Sequence, residues 1–155
     1  MTETCPNEDQ LLDNQLCFVL YAASKAMTQA YREFLEPLGI TYPQYLVFMV
    51  LWEKDGISLK RLGERLRLDS GTLKPLVKRL EKEGYLTRER AKQDEREIRV
   101  CLTTRGRKLQ QKASHVPSGM LCQAQLKLDE LVKLTGDLKN LLQKLQPHHE
   151  TQNRD

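Results

Sequence analysis

The sequence has no apolar run of 18 or more residues, so no single segment is long enough to span a membrane as a helix. It has no Cys-x-x-Cys pair. Cys5, Cys17, Cys101 and Cys122 stand 12, 84 and 21 residues apart, and His115, His148 and His149 do not cluster with them. The spacing of a structural zinc site is therefore missing, and neither a metal nor a cofactor is expected. Eight glycines and six prolines are too few for a collagenous or linker-like chain. There is no internal repeat, no low-complexity tract, no phosphate-cradling loop and no hydrolytic constellation. The opening MTETCPNEDQLLDNQ is acidic and polar, unlike a secretory signal. The expected compartment is the cytoplasm, where thiols stay reduced unless they are catalytic or redox-sensing.

What is present is one domain's worth of chain: 155 residues, 39% of them hydrophobic and 30% charged. The net charge of +4 divides unevenly. Residues 58–108 hold 16 basic and 8 acidic side chains, while the remainder holds 9 basic and 13 acidic. A basic centre between acidic arms is the footprint of a nucleic-acid reader with a separate assembly or sensing region, although a solvated basic face would look the same.

Periodicity divides the chain into 1–10, a flexible N-terminus; 11–57, helices for dimerisation and sensing; 58–104, a winged helix-turn-helix; 105–147, C-terminal helices for dimerisation; and 148–155, a tail. Residues 11–36 read as one long helix with Leu12, Leu16, Val19, Leu20, Ala23, Ala26, Met27, Ala30 and Phe34 on one side, ended by Pro37 and Gly39. Thr41 or Tyr42 starts a second helix, with Pro43 in its first turn, running to about Trp52. Eight of the nine aromatics fall between Phe18 and Trp52, a large apolar concentration in one third of the chain.

Ser58 is a plausible cap for a short helix carrying Leu59, Leu62 and Leu66. After a turn at Leu68-Asp69-Ser70-Gly71, a further helix carries Leu73, Leu76, Val77 and Leu80 and stops at Gly84. Pro75 requires either that this helix begin near Thr72 or that its first turn be distorted. Two short helices joined by a tight turn form the helix-turn-helix pattern. The alternation of Ile98, Val100 and Leu102, following Tyr85 to Arg90 and a polar tip, predicts a β-hairpin wing. Thr103 or Thr104 caps another helix, His115 to Gly119 breaks it, and a last helix runs from Met120 to Gln146. The fold expected is mainly α with a small β-hairpin wing. The first and last helices carry wide apolar faces that a small winged module cannot bury alone, so a symmetric dimer through them is expected. A monomer folding both onto itself is the alternative.

Ser70, Thr72, Lys74, Lys78 and Arg79 belong to the exposed side of the second helix of the pair, where short hydroxyls reach bases or phosphates and cations neutralise phosphates. Arg88, Arg90, Lys92 and Arg96 decorate the wing, suited to the minor groove, and Asp94 could hold Arg96 by a charge-assisted bond. A dimer would set two such helices about 34–36 Å apart and read an inverted repeat of double-stranded DNA.

Cys17 has Tyr21 one turn later on the same face, Tyr31 near the end of that helix and Tyr42 just past Gly39. Phenolic donors that bond a thiolate lower its pKa, and the thiolate is the nucleophile. Phe18, Phe48 and Trp52 could wall the site for a greasy peroxide. The residues alone also allow a buried, inert cysteine.

Three segments, Asp13-Asn14-Gln15-Leu16-Cys17-Phe18-Val19-Leu20-Tyr21, Leu68-Asp69-Ser70-Gly71-Thr72-Leu73 with Pro75, and Asp94-Glu95-Arg96, resemble the organic hydroperoxide resistance regulators (OhrR) of the MarR family of winged-helix repressors. The likeness covers about residues 10–146. It implies a repressor rather than an enzyme, in which Cys17 is the peroxide-reactive thiol. It implies that Tyr31 and Tyr42, from the partner subunit, hydrogen-bond that sulfur, with Tyr21 linked to the region. It also implies that Cys122 of the other subunit is the resolving thiol, as in two-cysteine members. An organic hydroperoxide would oxidise Cys17, a disulfide with Cys122 would follow, and the operator would be released. Two other readings stand beside it: a MarR-type repressor released by a small aromatic ligand, and a thiol peroxidase using Cys17 with Cys122.

Overall fold

A computed structural model describes residues 10–90 and 96–146. A 3-10 turn at Leu12–Asn14 precedes α1 (Leu16–Leu35), and another at Glu36–Leu38 leads to α2 (Tyr42–Glu53). Then come β1 (Ile57–Ser58), α3 (Leu59–Leu66), α4 (Ser70–Lys82), β2 (Leu86–Arg90), β3 (Ile98–Leu102), α5 (Thr104–Lys112), α6 (Val116–Gln123) and α7 (Leu128–Leu145). The sheet is antiparallel in the order β1-β3-β2, with Ile57 opposite Val100 and Arg90 opposite Ile98. The mainly helical winged helix-turn-helix read from the sequence is the fold observed. The chain divides into two compact units between Val116 and Pro117. No single described helix is long and apolar enough to cross a membrane.

Local chemistry sets most helix starts. Thr41 and Gln44 form a capping box at α2, with Pro43 in the first turn. Ser58 accepts from the Arg61 N–H at α3, Asp69 from the Thr72 N–H at α4, and Thr103 from the Gly106 N–H at α5. Four of the helical ends share one device. Gly39 and Gly84 take left-handed φ of 70° and 77°, and the next residue's N–H bonds back to the carbonyls of Leu35 and Leu80. Arg67 and Gln125 do the same at φ 55° and 53° without being glycine.

Four details differ from the sequence reading. Residues 11–36 are not one helix, because Gln15 is extended (φ −85°, ψ 110°) and serves as the N-cap of α1. The last helix is two: the left-handed Gln125, with the Leu126 N–H on the Leu121 carbonyl, ends α6, and Lys127 with Glu130 caps α7. Pro117 does not break a helix but lies in the first turn of α6, where its missing N–H costs nothing. Pro75 lies inside α4, which starts at Ser70. The carbonyl left without a donor is that of Gly71, and both residues are exposed to water. The two-residue strand β1 is too short to leave a pattern.

The core of the first unit gathers Leu35, Val47, Phe48, Leu51, Leu62, Leu73, Val77, Leu80, Leu86 and Val100. Phe48 stacks on Trp52 with centroids 5.6 Å apart and meets the edge of Tyr85 at 5.4 Å. Gly106 is fully packed, because a Cβ there would collide with the Tyr85 carbonyl and the Leu102 side chain. The terminal helices contrast with this. In α1 only Leu35 is buried, and Leu16 is 60% exposed. In α7 nothing is buried, and Leu128 is 67% exposed.

Candidate functional site

The α3–α4 pair and the hairpin form one basic face. The turn between the helices is possible because Arg67 accepts the left-handed region and Asp69 caps α4. Asp69 Oδ1 takes the Thr72 N–H at 2.9 Å, and Oδ2 takes the Thr72 hydroxyl at 2.9 Å. These two bonds, the hydroxyl first, hold the Asp69 carboxyl below its ordinary pKa. The Thr72 hydroxyl is therefore engaged in building the turn.

Leu73, Val77 and Leu80 face the core, which turns Ser70, Lys74 and Lys78 outward. Arg79, also exposed, lies on a flank and donates to Glu83 at 3.1 Å. A cleft of about 840 Å³ opens between α3, α4 and the start of β3. Leu59, Leu68, Leu73 and Ile98 line it, together with Lys60, Arg67 and Lys74.

Two carboxylates that the sequence reading passed over anchor the hairpin. Glu81 of α4 accepts the Arg88 backbone N–H at 3.2 Å and its guanidinium at 2.7–2.8 Å. That bonding, the side-chain contact first, lowers the Glu81 pKa. On the other edge, Asp55 Oδ1 accepts the N–H groups of Leu102 and Gly56, each at 2.8 Å, while its Oδ2 pairs with Arg107 at 2.8 Å. Arg88 thus has a partner within the fold. Arg90, at the end of β2, and Arg96, in the turn before β3, are both exposed. Asp94 and Lys92, also singled out in the sequence, lie outside the described residues.

The sulfur region lies on the first helices. Cys17, in the first turn of α1, is exposed, and so is Tyr21, whose ring lies 5.2 Å from Lys25 Nζ. Tyr31 packs on Tyr42 with centroids 4.7 Å apart and lies 6.0 Å from Tyr45, a buried tyrosine the sequence reading missed. Burial raises the pKa of Tyr31 and of Tyr42, so both phenols remain neutral donors. Cys17 and Tyr31 are fourteen positions apart on one helix, about 21 Å at 1.5 Å per residue. They cannot touch within a chain.

Cys122 is exposed on α6. Cys101, half-buried on β3, is held above the ordinary thiol pKa by burial and then by Glu89 and Asp55, which keeps it protonated and poorly nucleophilic. Cys5 lies outside the described residues. Among the described residues no three His, Cys, Asp or Glu side chains converge as metal ligands.

Known proteins share this fold. The profile of the family described as transcriptional regulator SarA/Rot matches residues 29–113. The organic hydroperoxide resistance transcriptional regulator of Bacillus subtilis is 45% identical over 134 residues, covering 86% of this chain and 91% of that protein. This chain belongs to the MarR-type winged-helix transcriptional regulators.

Among solved MarR-type structures, reduced AbfR bound to DNA, a Staphylococcus epidermidis protein, is 38% identical with a TM-score of 0.73, covering 86% of this chain and 94% of that one. The disulfide form of AbfR gives 0.64 at 39% identity, with 84% and 92% covered. A MarR mutant from E. coli in complex with operator DNA gives 0.74 at 27% identity, with 82% and 93% covered. The resemblance to organic hydroperoxide resistance regulators drawn from the sequence is borne out. Membership in this family makes the chain a regulator rather than an enzyme, which sets aside the thiol peroxidase reading.

Proposed function

We propose that the chain is a homodimeric, cytoplasmic repressor that binds an inverted-repeat DNA operator and releases it when an organic hydroperoxide oxidises Cys17. The observation that carries this reading is the separation of Cys17 from Tyr31 along α1. An exposed thiol stands at one end of α1, and Tyr31, packed on Tyr42 of α2, stands near the other, on a helix whose apolar side is uncovered. Antiparallel pairing of two such helices about Ser24, amid Ala22, Ala23 and Ala26, would bring Cys17 of one copy beside the phenols of the other. The uncovered apolar residues of α7 supply a second surface for the same pairing.

In the reduced state Lys74, Lys78, Arg90 and Arg96 meet phosphates and groove edges, with Ser70 and Thr72 at the start of the reading helix. DNA in the structures of AbfR and MarR, and the hydroperoxide named for the Bacillus subtilis relative, support this assignment. On oxidation, the Cys17 thiol takes one oxygen from the hydroperoxide, giving a sulfenic acid and an alcohol. The Cys122 thiol of the partner copy then displaces that oxygen as water and forms a disulfide. Bridging requires the two Cα atoms within about 7 Å, so helices carrying more distant thiols must shift, and the paired reading heads leave operator spacing.

The test is a non-reducing gel of the full chain treated with cumene hydroperoxide. A dimer-sized band that dithiothreitol removes, and that Cys17→Ser and Cys122→Ser each abolish, is expected. A band that persists in Cys122→Ser contradicts the assignment of the resolving thiol.

A further inference from the structure

Gln44 is the buried polar side chain among the described residues of the core, only 3% exposed. Its two ends do different things. Oε1 accepts the Thr41 N–H at 2.8 Å and so fixes the first turn of α2, the turn that carries Tyr42. Nε2 donates to Glu83 Oε2 at 3.4 Å, across 39 residues of sequence. The other oxygen of that carboxylate, Oε1, takes the Arg79 Nε at 3.1 Å. Glu83 is the C-cap residue of α4. The amide can be oriented in only one way, since an N–H must find the carbonyl end and a carboxylate the NH2 end. A continuous polar path thus runs from the backbone beside Tyr42, through one amide and one carboxylate, to an exposed cation on the reading helix.

We propose that Gln44 is a positioning residue that couples the phenol cluster to the reading helix through Glu83 and Arg79. This rests on the redox reading above. A displacement of the α2 start that follows chemistry at Cys17 moves the amide with it, because the amide is bonded to that turn. Glu83 then loses one of its two partners, and Arg79, 70% exposed, is no longer held in the orientation that suits the bound duplex. A buried polar contact suits such coupling, because the packed interior around it does not deform continuously.

The experiment measures DNA affinity of the full chain, reduced and after cumene hydroperoxide, for wild type, Gln44→Met, Glu83→Ala and the double variant. The probe is the duplex recovered from a random library by the reduced wild-type protein. The readout is the ratio of reduced to oxidised affinity, which a purely structural defect would leave unchanged while lowering both affinities. The ratio is expected to shrink about five-fold or more in each single variant, with no further loss in the double variant. Unchanged ratios, or independent effects that multiply, overturn the proposal. Should Gln44→Met fail to fold, Glu83→Ala at its half-exposed position decides alone. A wild-type protein with no oxidant response refutes the redox reading instead, and is distinguishable because no variant is needed to see it.

Discussion

Arg88 of β2 is clasped by Glu81 of α4, with Nη2 2.7 Å from one carboxylate oxygen and the backbone N–H 3.2 Å from the other. The hairpin is therefore tied to α4 by side chain and backbone together. Glu81→Ala removes both bonds. The expected result is a stability loss of about 1 kcal/mol by urea denaturation, faster amide exchange along β2 and β3, and roughly five-fold weaker DNA binding. Unchanged exchange in the hairpin would show that the sheet holds its pose without Glu81.

The same pair gives a pH dependence. The Glu81 pKa in the fold lies below its ordinary value of 4.5, so the contact contributes its stability above that value. That contribution is lost as the pH falls through the lowered pKa. Wild type should lose more stability than Glu81→Gln on acidification below about pH 4.5, and the two should run parallel from pH 6 to 8. A difference arising near neutrality would point to another group.

Lys78 projects from the outer side of α4, whereas Arg79 is paired with Glu83. Lys78→Ala is expected to lower the slope of log affinity against log salt by about 1 and to weaken binding to all sequences similarly. An unaltered slope would remove Lys78 from the phosphate contacts.

Gly106→Ala is expected to destabilise by on the order of 2 kcal/mol, because the new Cβ meets a backbone carbonyl that cannot move aside without opening the junction between Tyr85 and α5. Thermal denaturation checks this, and a neutral change would mean the junction is looser than its packing indicates.

Leu128 and Val132 are exposed on α7 at 67% and 64%. Leu128→Glu with Val132→Glu should leave the first unit folded and lower the mass in sedimentation from dimer to monomer. Persistence of the dimer would place the contact elsewhere.

The legibility of the fold follows from which residues announce backbone conformation. Gly39 and Gly84 mark helix ends because the left-handed region is open to glycine, and Ser58 and Thr103 mark starts because their hydroxyls bond the first turn. Arg67 and Gln125 reach the same left-handed region against their intrinsic preference. That is why the division of the last helix left no signal. In the candidate site, Cys17, Tyr31 and Tyr42 stood out by residue type. Tyr45, Gln44, Asp55 and Glu81 did not, because their roles depend on partners brought close only by folding, as with Asp55 and the Leu102 N–H across 47 residues.

The most direct measurement of the central claim is the affinity of wild type and Cys17→Ser for the selected duplex, before and after cumene hydroperoxide and again after dithiothreitol. The account predicts equal binding by both when reduced, release of wild type alone on oxidation, and recovery on reduction. Release of the serine variant by the same treatment would contradict it.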